Sequence, residues 1–122
     1  MMKYDNDGIQ MTEGSNVWIV HNMVSNPQDQ TSCIQVGADQ GPISNVVEED
    51  NLVNGGGYSL YGGEGGAYSV SNIKILNNRI MRLPEAGGFF TNGGFYGPVT
   101  ATNDAAITFL GNVWDDTGAP VG

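Results

Sequence analysis

The chain has 122 residues, of which 13 are acidic and four basic, for a net charge of −9. Such a charge repels nucleic-acid phosphates and anionic lipid headgroups, so neither is an expected partner, and the length suits one domain with a thin core. The lone cysteine, Cys33, excludes an intramolecular disulfide and, between apolar neighbours, reads as a small core residue rather than a reactive thiol.

In chain order, the first short strand expected is Gly8-Ile9-Gln10-Met11, followed by the phrase Ser15-Asn16-Val17-Trp18-Ile19-Val20-His21-Asn22 and then Met23-Val24. The order repeats with Cys33-Ile34-Gln35-Val36, Ser44-Asn45-Val46-Val47-Glu48-Glu49-Asp50-Asn51 and Leu52-Val53. A third round runs through Tyr58-Ser59-Leu60-Tyr61, Ser71-Asn72-Ile73-Lys74-Ile75-Leu76-Asn77-Asn78 and Arg79-Ile80. The fourth is looser: Gly88-Phe89-Phe90-Thr91, Ala105-Ala106-Ile107-Thr108-Phe109-Leu110-Gly111-Asn112 and Val113-Trp114. Apolar residues alternate with period two and glycine clusters punctuate the runs, so strands joined by turns are expected and helix content is close to nil.

The closing asparagines Asn22, Asn51, Asn78 and Asn112 recur after 29, 27 and 34 residues. A period near 30 with three strands per repeat predicts an all-β fold, a short right-handed parallel β-helix of about four coils (8–25, 33–54, 58–82 and 88–116), each burying its apolar side against the next. Stacked residues in such a fold lie about 4.8 Å apart, so Val17, Val46, Ile73 and Ile107 form one inward column. The four closing asparagines read as a structural ladder at a corner where the chain takes a left-handed or bridging conformation, and Asn16, Asn45 and Asn72 as turn formers. Glu48 falls in the inward slot filled elsewhere by Ile19, Ile75 and Phe109; a buried unpaired carboxylate is costly, so a local bulge or tilt of its strand is expected, with a cation or partner contact as the alternative. Residues 81–102 stretch the last period and predict a projecting loop that carries recognition.

The Asp7-Gly8-Ile9-Gln10 opening, the Asn-Val-x-Ile-x-x-Asn coils and the glycine-tyrosine coil from Gly55 to Tyr61 resemble right-handed parallel β-helix proteins of the pectate-lyase-like type, in particular those of actinobacteria and their phages. In that subset the opening commonly reads His-Thr-Asp-Gly-Ile-Gln; Asp5 stands here where the histidine does. The resemblance implies either a polysaccharide lyase or glycoside hydrolase, or a fragment of one, with Asp5, Asp7 and His21 as acid/base candidates, or a β-helix module of a virion, homotrimeric by analogy.

Asp5 and Asp7 straddle one residue and would share a strand face, a spacing compatible with paired-carboxylate hydrolysis or calcium. His21 needs a carboxylate in reach to act as a base. Glu48 and Asp50, with Asp115-Asp116, are candidate oxygen ligands for calcium, the one cofactor the sequence suggests. Among the aromatics in or near the glycine-rich coils, Tyr58, Tyr61, Phe95 and Tyr96 are the binding candidates, as flat surfaces for a glycan or a protein. Four basic residues make a poor groove for an anionic polymer, and uncovered β-helix ends expose strand edges unless association caps them. The expectation is therefore a non-enzymatic structural or binding module, a phage virion component such as a decoration or tail-spike-like protein, located in a virion or extracellularly. The N-terminal residues lack the apolar region of a signal peptide.

Overall fold

The computed structural model describes residues 8–64, 67–100 and 105–121. Among these, twelve strands run in chain order: β1 (Ile9–Met11), β2 (Gly14–Val20), β3 (Met23–Asn26), β4 (Ser32–Gly37), β5 (Ile43–Glu49), β6 (Leu52–Gly55), β7 (Tyr58–Glu64), β8 (Val70–Leu76), β9 (Arg79–Ile80), β10 (Gly97–Thr100), β11 (Ile107–Leu110) and β12 (Val113–Trp114). They form three four-stranded sheets, β1-β4-β7-β10, β2-β5-β8-β11 and β3-β6-β9-β12. All pairings between these strands are parallel. The fold is a short parallel β-helix, as the period predicts, and among the described residues a single 3-10 turn, Pro84–Ala86, supplies the helix.

Register explains why the repeated phrase folds this way. Val17, Val46, Ile73 and Ile107 stack in one column, with Val46 and Ile73 fully buried. Ile9, Ile34 and Leu60 form a second column in the first sheet, and Val24, Val53 and Ile80 a third. Each inward residue covers its neighbour one coil away, so the two middle coils hold the driest part of the core. Cys33 is buried, its Sγ 3.2 Å from the Asn54 carbonyl oxygen.

Two positions correct the expectation. The fourth strand of the first sheet is Gly97–Thr100, not residues 88–91; Phe90 makes only an isolated bridge to Gly93. Residues 81–96 are the loop, and they pack along the Gly55-Gly56-Gly57 turn, with Phe95 N–H donating to Gly56 O (2.9 Å) and Tyr96 N–H to Gly57 O (2.7 Å). Such backbone contact needs glycine: Gly55 has φ +96°, and a Cβ there would overlap the Asn26 carbonyl oxygen and press on Phe89. Gly55→Ala is expected to destabilise the protein by roughly 3 kcal/mol or more; urea unfolding with no loss would show that this packing tolerates a side chain.

The second correction concerns Glu48. No bulge carries it outward. It pairs in register with Ile19 on one side and Ile75 on the other, and it is 0% exposed. Neither carboxyl oxygen has a hydrogen-bond partner. The seven-residue strand β5 is held on both flanks by continuous ladders, and a one-residue shift that turned Glu48 outward would carry its apolar inward neighbours off the core face as well.

Candidate functional site

The four closing asparagines form a ladder with a direction, buried at Asn51, Asn78 and Asn112 and half-buried at Asn22. Asn22 donates its N–H and Nδ2 to Asn51 Oδ1 (3.0 and 3.0 Å), Asn51 does the same to Asn78 (2.9 and 3.0 Å), and Asn78 to Asn112 (3.0 and 2.9 Å). Each later Nδ2 also reaches back to a carbonyl of the preceding coil, at Ile19, Glu48 and Ile75. The left-handed conformation belongs to the residue before each ladder asparagine: His21, Asp50, Asn77 and Gly111 have φ from 55° to 73°. A second, exposed ladder joins Asn16, Asn45 and Asn72, all at positive φ.

Because His21 and Asp50 occupy the same corner position in successive coils, their side chains meet: His21 Nδ1 lies 2.9 Å from Asp50 Oδ2. The register thus supplies the carboxylate that a base needs. Both groups are exposed, and they line a shallow hollow of about 300 Å³ with Met23, Leu52 and Arg79. Arg79 Nε is paired with Asp115 Oδ1 at 2.7 Å, and Arg82 Nε with Asp116 Oδ1 at 3.1 Å while its guanidinium lies over Trp114. The two C-terminal aspartates therefore neutralise arginines rather than join Glu48 and Asp50. The Glu48 carboxyl is sealed in the core, whereas Asp50 is held by His21 at the surface. Burial away from water pushes the Glu48 carboxyl up to about 8, so it stays protonated at neutral pH. Asp5 and Asp7 lie outside the described residues.

The four aromatic candidates converge. Tyr58 packs edge-on against Tyr61 (ring centres 5.7 Å apart) and beside Tyr96 (5.8 Å), Tyr96 contacts Phe95 (4.9 Å), and Phe95 contacts Phe90 (5.9 Å). Two β7 residues meet three residues of the 81–96 loop, so the strip depends on the glycine contacts that seat this loop. Phe95 and Tyr96 remain 54% and 65% exposed. Tyr61 stacks in register on Gln35, which pairs with Gln10, and Gln10 Nε2 donates to Gln35 Oε1 at 3.0 Å. Aromatic rings thus adjoin a row of amides on the outer surface of the first sheet. Phe90, one of the aromatics near the glycine-rich coils but not among the four binding candidates, joins the strip through Phe95.

No protein-family model matches the chain, and neither a curated protein nor a solved structure matches it.

Proposed function

We propose that this chain is a non-enzymatic contact module of the pectate-lyase-like β-helix type, a virion component of the decoration or tail-spike-like kind, that recognises neutral glycan through its aromatic strip. The observation that carries the reading is the unbroken run of ring contacts from Tyr61 through Tyr58 on β7 to Tyr96, Phe95 and Phe90 of the loop seated beside it. Sugar rings lay their C–H faces on aromatic surfaces, and neighbouring amides such as Gln35 bond hydroxyl groups. The strip residues carry no charge, which favours a neutral ligand over a uronate for a chain of net charge −9.

The test is binding to arrayed neutral oligosaccharides, followed by titration of any ligand found. Tyr58→Ala and Tyr96→Ala are each expected to lower affinity roughly three- to tenfold. Loss of neither, or retention of uronate polymers alone, would sink the reading. One observation favours a second reading, a polysaccharide-degrading enzyme: the His21–Asp50 contact beside Arg79. Turnover of a uronate polymer that His21→Ala abolishes would establish it in place of the first.

A further inference from the structure

The outward face of the second sheet carries an oblique pattern of apolar and charged side chains. Trp18, Val47 and Lys74 are successive members of one outward column, and Glu49, Leu76 and Leu110 belong to the next, two residues further along each strand. Taken one per strand, Trp18, Val47, Leu76 and Leu110 make an apolar line that crosses all four coils on a diagonal. Trp18 and Leu110 are 62% and 68% exposed, while Val47 and Leu76 are half-buried. Glu49 stands on one side of that line and Lys74 on the other, and no other outward side chain of β2, β5, β8 or β11 is ionisable. A chain of net charge −9 thus presents one sheet face that is neutral in sum.

Neither charge is neutralised within the chain. Arg79 and Arg82, the other two basic side chains among the described residues, are each held by an aspartate, whereas Lys74 and Glu49 make no ion pair or side-chain hydrogen bond there. Exposed aromatic and aliphatic side chains with charge depleted around them are the composition of an interface core. Symmetry decides the occupant. A two-fold axis laid along the apolar line sets each of its four side chains against the same side chain of a second copy and exchanges the two flanks, so that Lys74 of each copy meets Glu49 of the other.

We propose that the outward face of the second sheet is a self-association surface, at which two copies pack face to face about a two-fold axis along the line from Trp18 to Leu110, with two Lys74–Glu49 ion pairs across the contact. The axis runs obliquely to the strands, so the two sheets cross at a steep angle, in the manner of orthogonal sheet packing. The apolar line supplies the burial, and the ion pairs fix the partner and the register. The neutral face lets two strongly acidic chains approach there, and a two-fold contact closes at the dimer. Both charged residues lie on β5 and β8, the middle strands of the sheet, and a coil added before β2 or after β11 would extend this face rather than cover it. The aromatic strip belongs to the first sheet and its loop, so association does not depend on what that strip binds.

Light scattering across a concentration series reads the result. The native chain is expected to approach twice its 12.9 kDa mass as concentration rises. Lys74→Glu and Glu49→Lys each set like charges against one another in both pairs, and each variant alone should stay at the single-chain mass. An equimolar mixture of the two restores opposite charges in both pairs and should recover the dimer, which a merely structural role for either residue would not produce. Circular dichroism reports folding of each variant. Should one fail to fold, Leu110→Lys, at the most exposed member of the apolar line, sets cation against cation across the axis and should also give the single-chain mass. A native chain that is monomeric at every soluble concentration, which would assign the face to a partner of other chemistry, overturns the proposal. So does a trimer, a dimer kept by a folded charge variant, or a mixture of the two folded charge variants that fails to associate.

Discussion

Replacing Glu48 by isoleucine is expected to stabilise the protein by roughly 4 kcal/mol at pH 7 and to remove most of the pH dependence of its stability in the neutral range. The native carboxyl sits between Ile19 and Ile75 in the stack, fully buried, with both oxygens unpaired. Its pKa is about 8 in the folded chain against 4.5 for an ordinary glutamate. The folded state therefore keeps a proton that the unfolded chain gives up, and folding stability falls as pH rises from 4.5 to about 8. The slope is about 1.4 kcal/mol per pH unit, and the loss levels off above the folded pKa. Below 4.5 both states hold the proton, and what remains is the cost of an unpaired carboxylic acid in an apolar column.

Isoleucine removes both costs and continues the aliphatic ladder. Glu48→Gln separates them, since it abolishes the titration but leaves polar atoms unpaired, so it should flatten the pH profile with a smaller gain in stability. The difference between the native and variant profiles isolates Glu48. Urea unfolding from pH 4 to 9 measures all three proteins. A native chain whose stability does not fall toward pH 8, or an isoleucine variant that keeps the native slope, would place the pH dependence in other groups.

The fold was legible because the stacking that stabilises it is written into the spacing. Residues 27 or 29 apart meet across adjacent coils, so a repeated Val, Ile and Asn phrase is a list of contacts. The same property explains what was missed. His21 and Asp50 precede ladder asparagines in successive coils, and aligning the phrases by those asparagines would have brought the two side chains together. The first strand of the fourth coil was misplaced because Phe89-Phe90 is as strand-prone as the run from Gly97 to Thr100, and both are flanked by glycine. What decides between them is non-local: the backbone of residues 94–96 must lie against Gly56 and Gly57. Glu48 was expected to bulge because the local cost of burying it is high, but register on both sides of β5 outweighs that cost. The aromatic set was visible in composition, while its order along the strip depends on how the loop seats.

Asn78→Ala is the most damaging single change expected in the asparagine ladder, at roughly 4 kcal/mol. Its Oδ1 accepts from the backbone N–H and Nδ2 of Asn51, and its Nδ2 donates to the Glu48 carbonyl and to Asn112 Oδ1. Alanine leaves the buried Asn51 N–H without an acceptor and strips one bond from Asn51 Nδ2, and no water reaches the site to replace them, since Asn51 and Asn78 are at most 1% exposed. An unmade bond to a buried backbone group costs more than a made bond contributes, so the loss should exceed that of an exposed hydrogen bond several-fold. Asn22→Ala makes the comparison. Asn22 is half-buried, accepts nothing on Oδ1 among the described residues, and donates to Val20 O and Asn51 Oδ1, so its removal should cost about 1 kcal/mol. Urea unfolding at pH 6 with the native m-value would report both, and equal losses would mean that the ladder contributes through the corner backbone rather than through its buried amides. The exposed ladder supplies the last contrast: Asn45 is bonded to Asn16 and Asn72 at the surface, where water can replace either partner. Its alanine variant should lose chiefly the tolerance of asparagine for φ 55°, a cost set by backbone strain and recovered in Asn45→Gly.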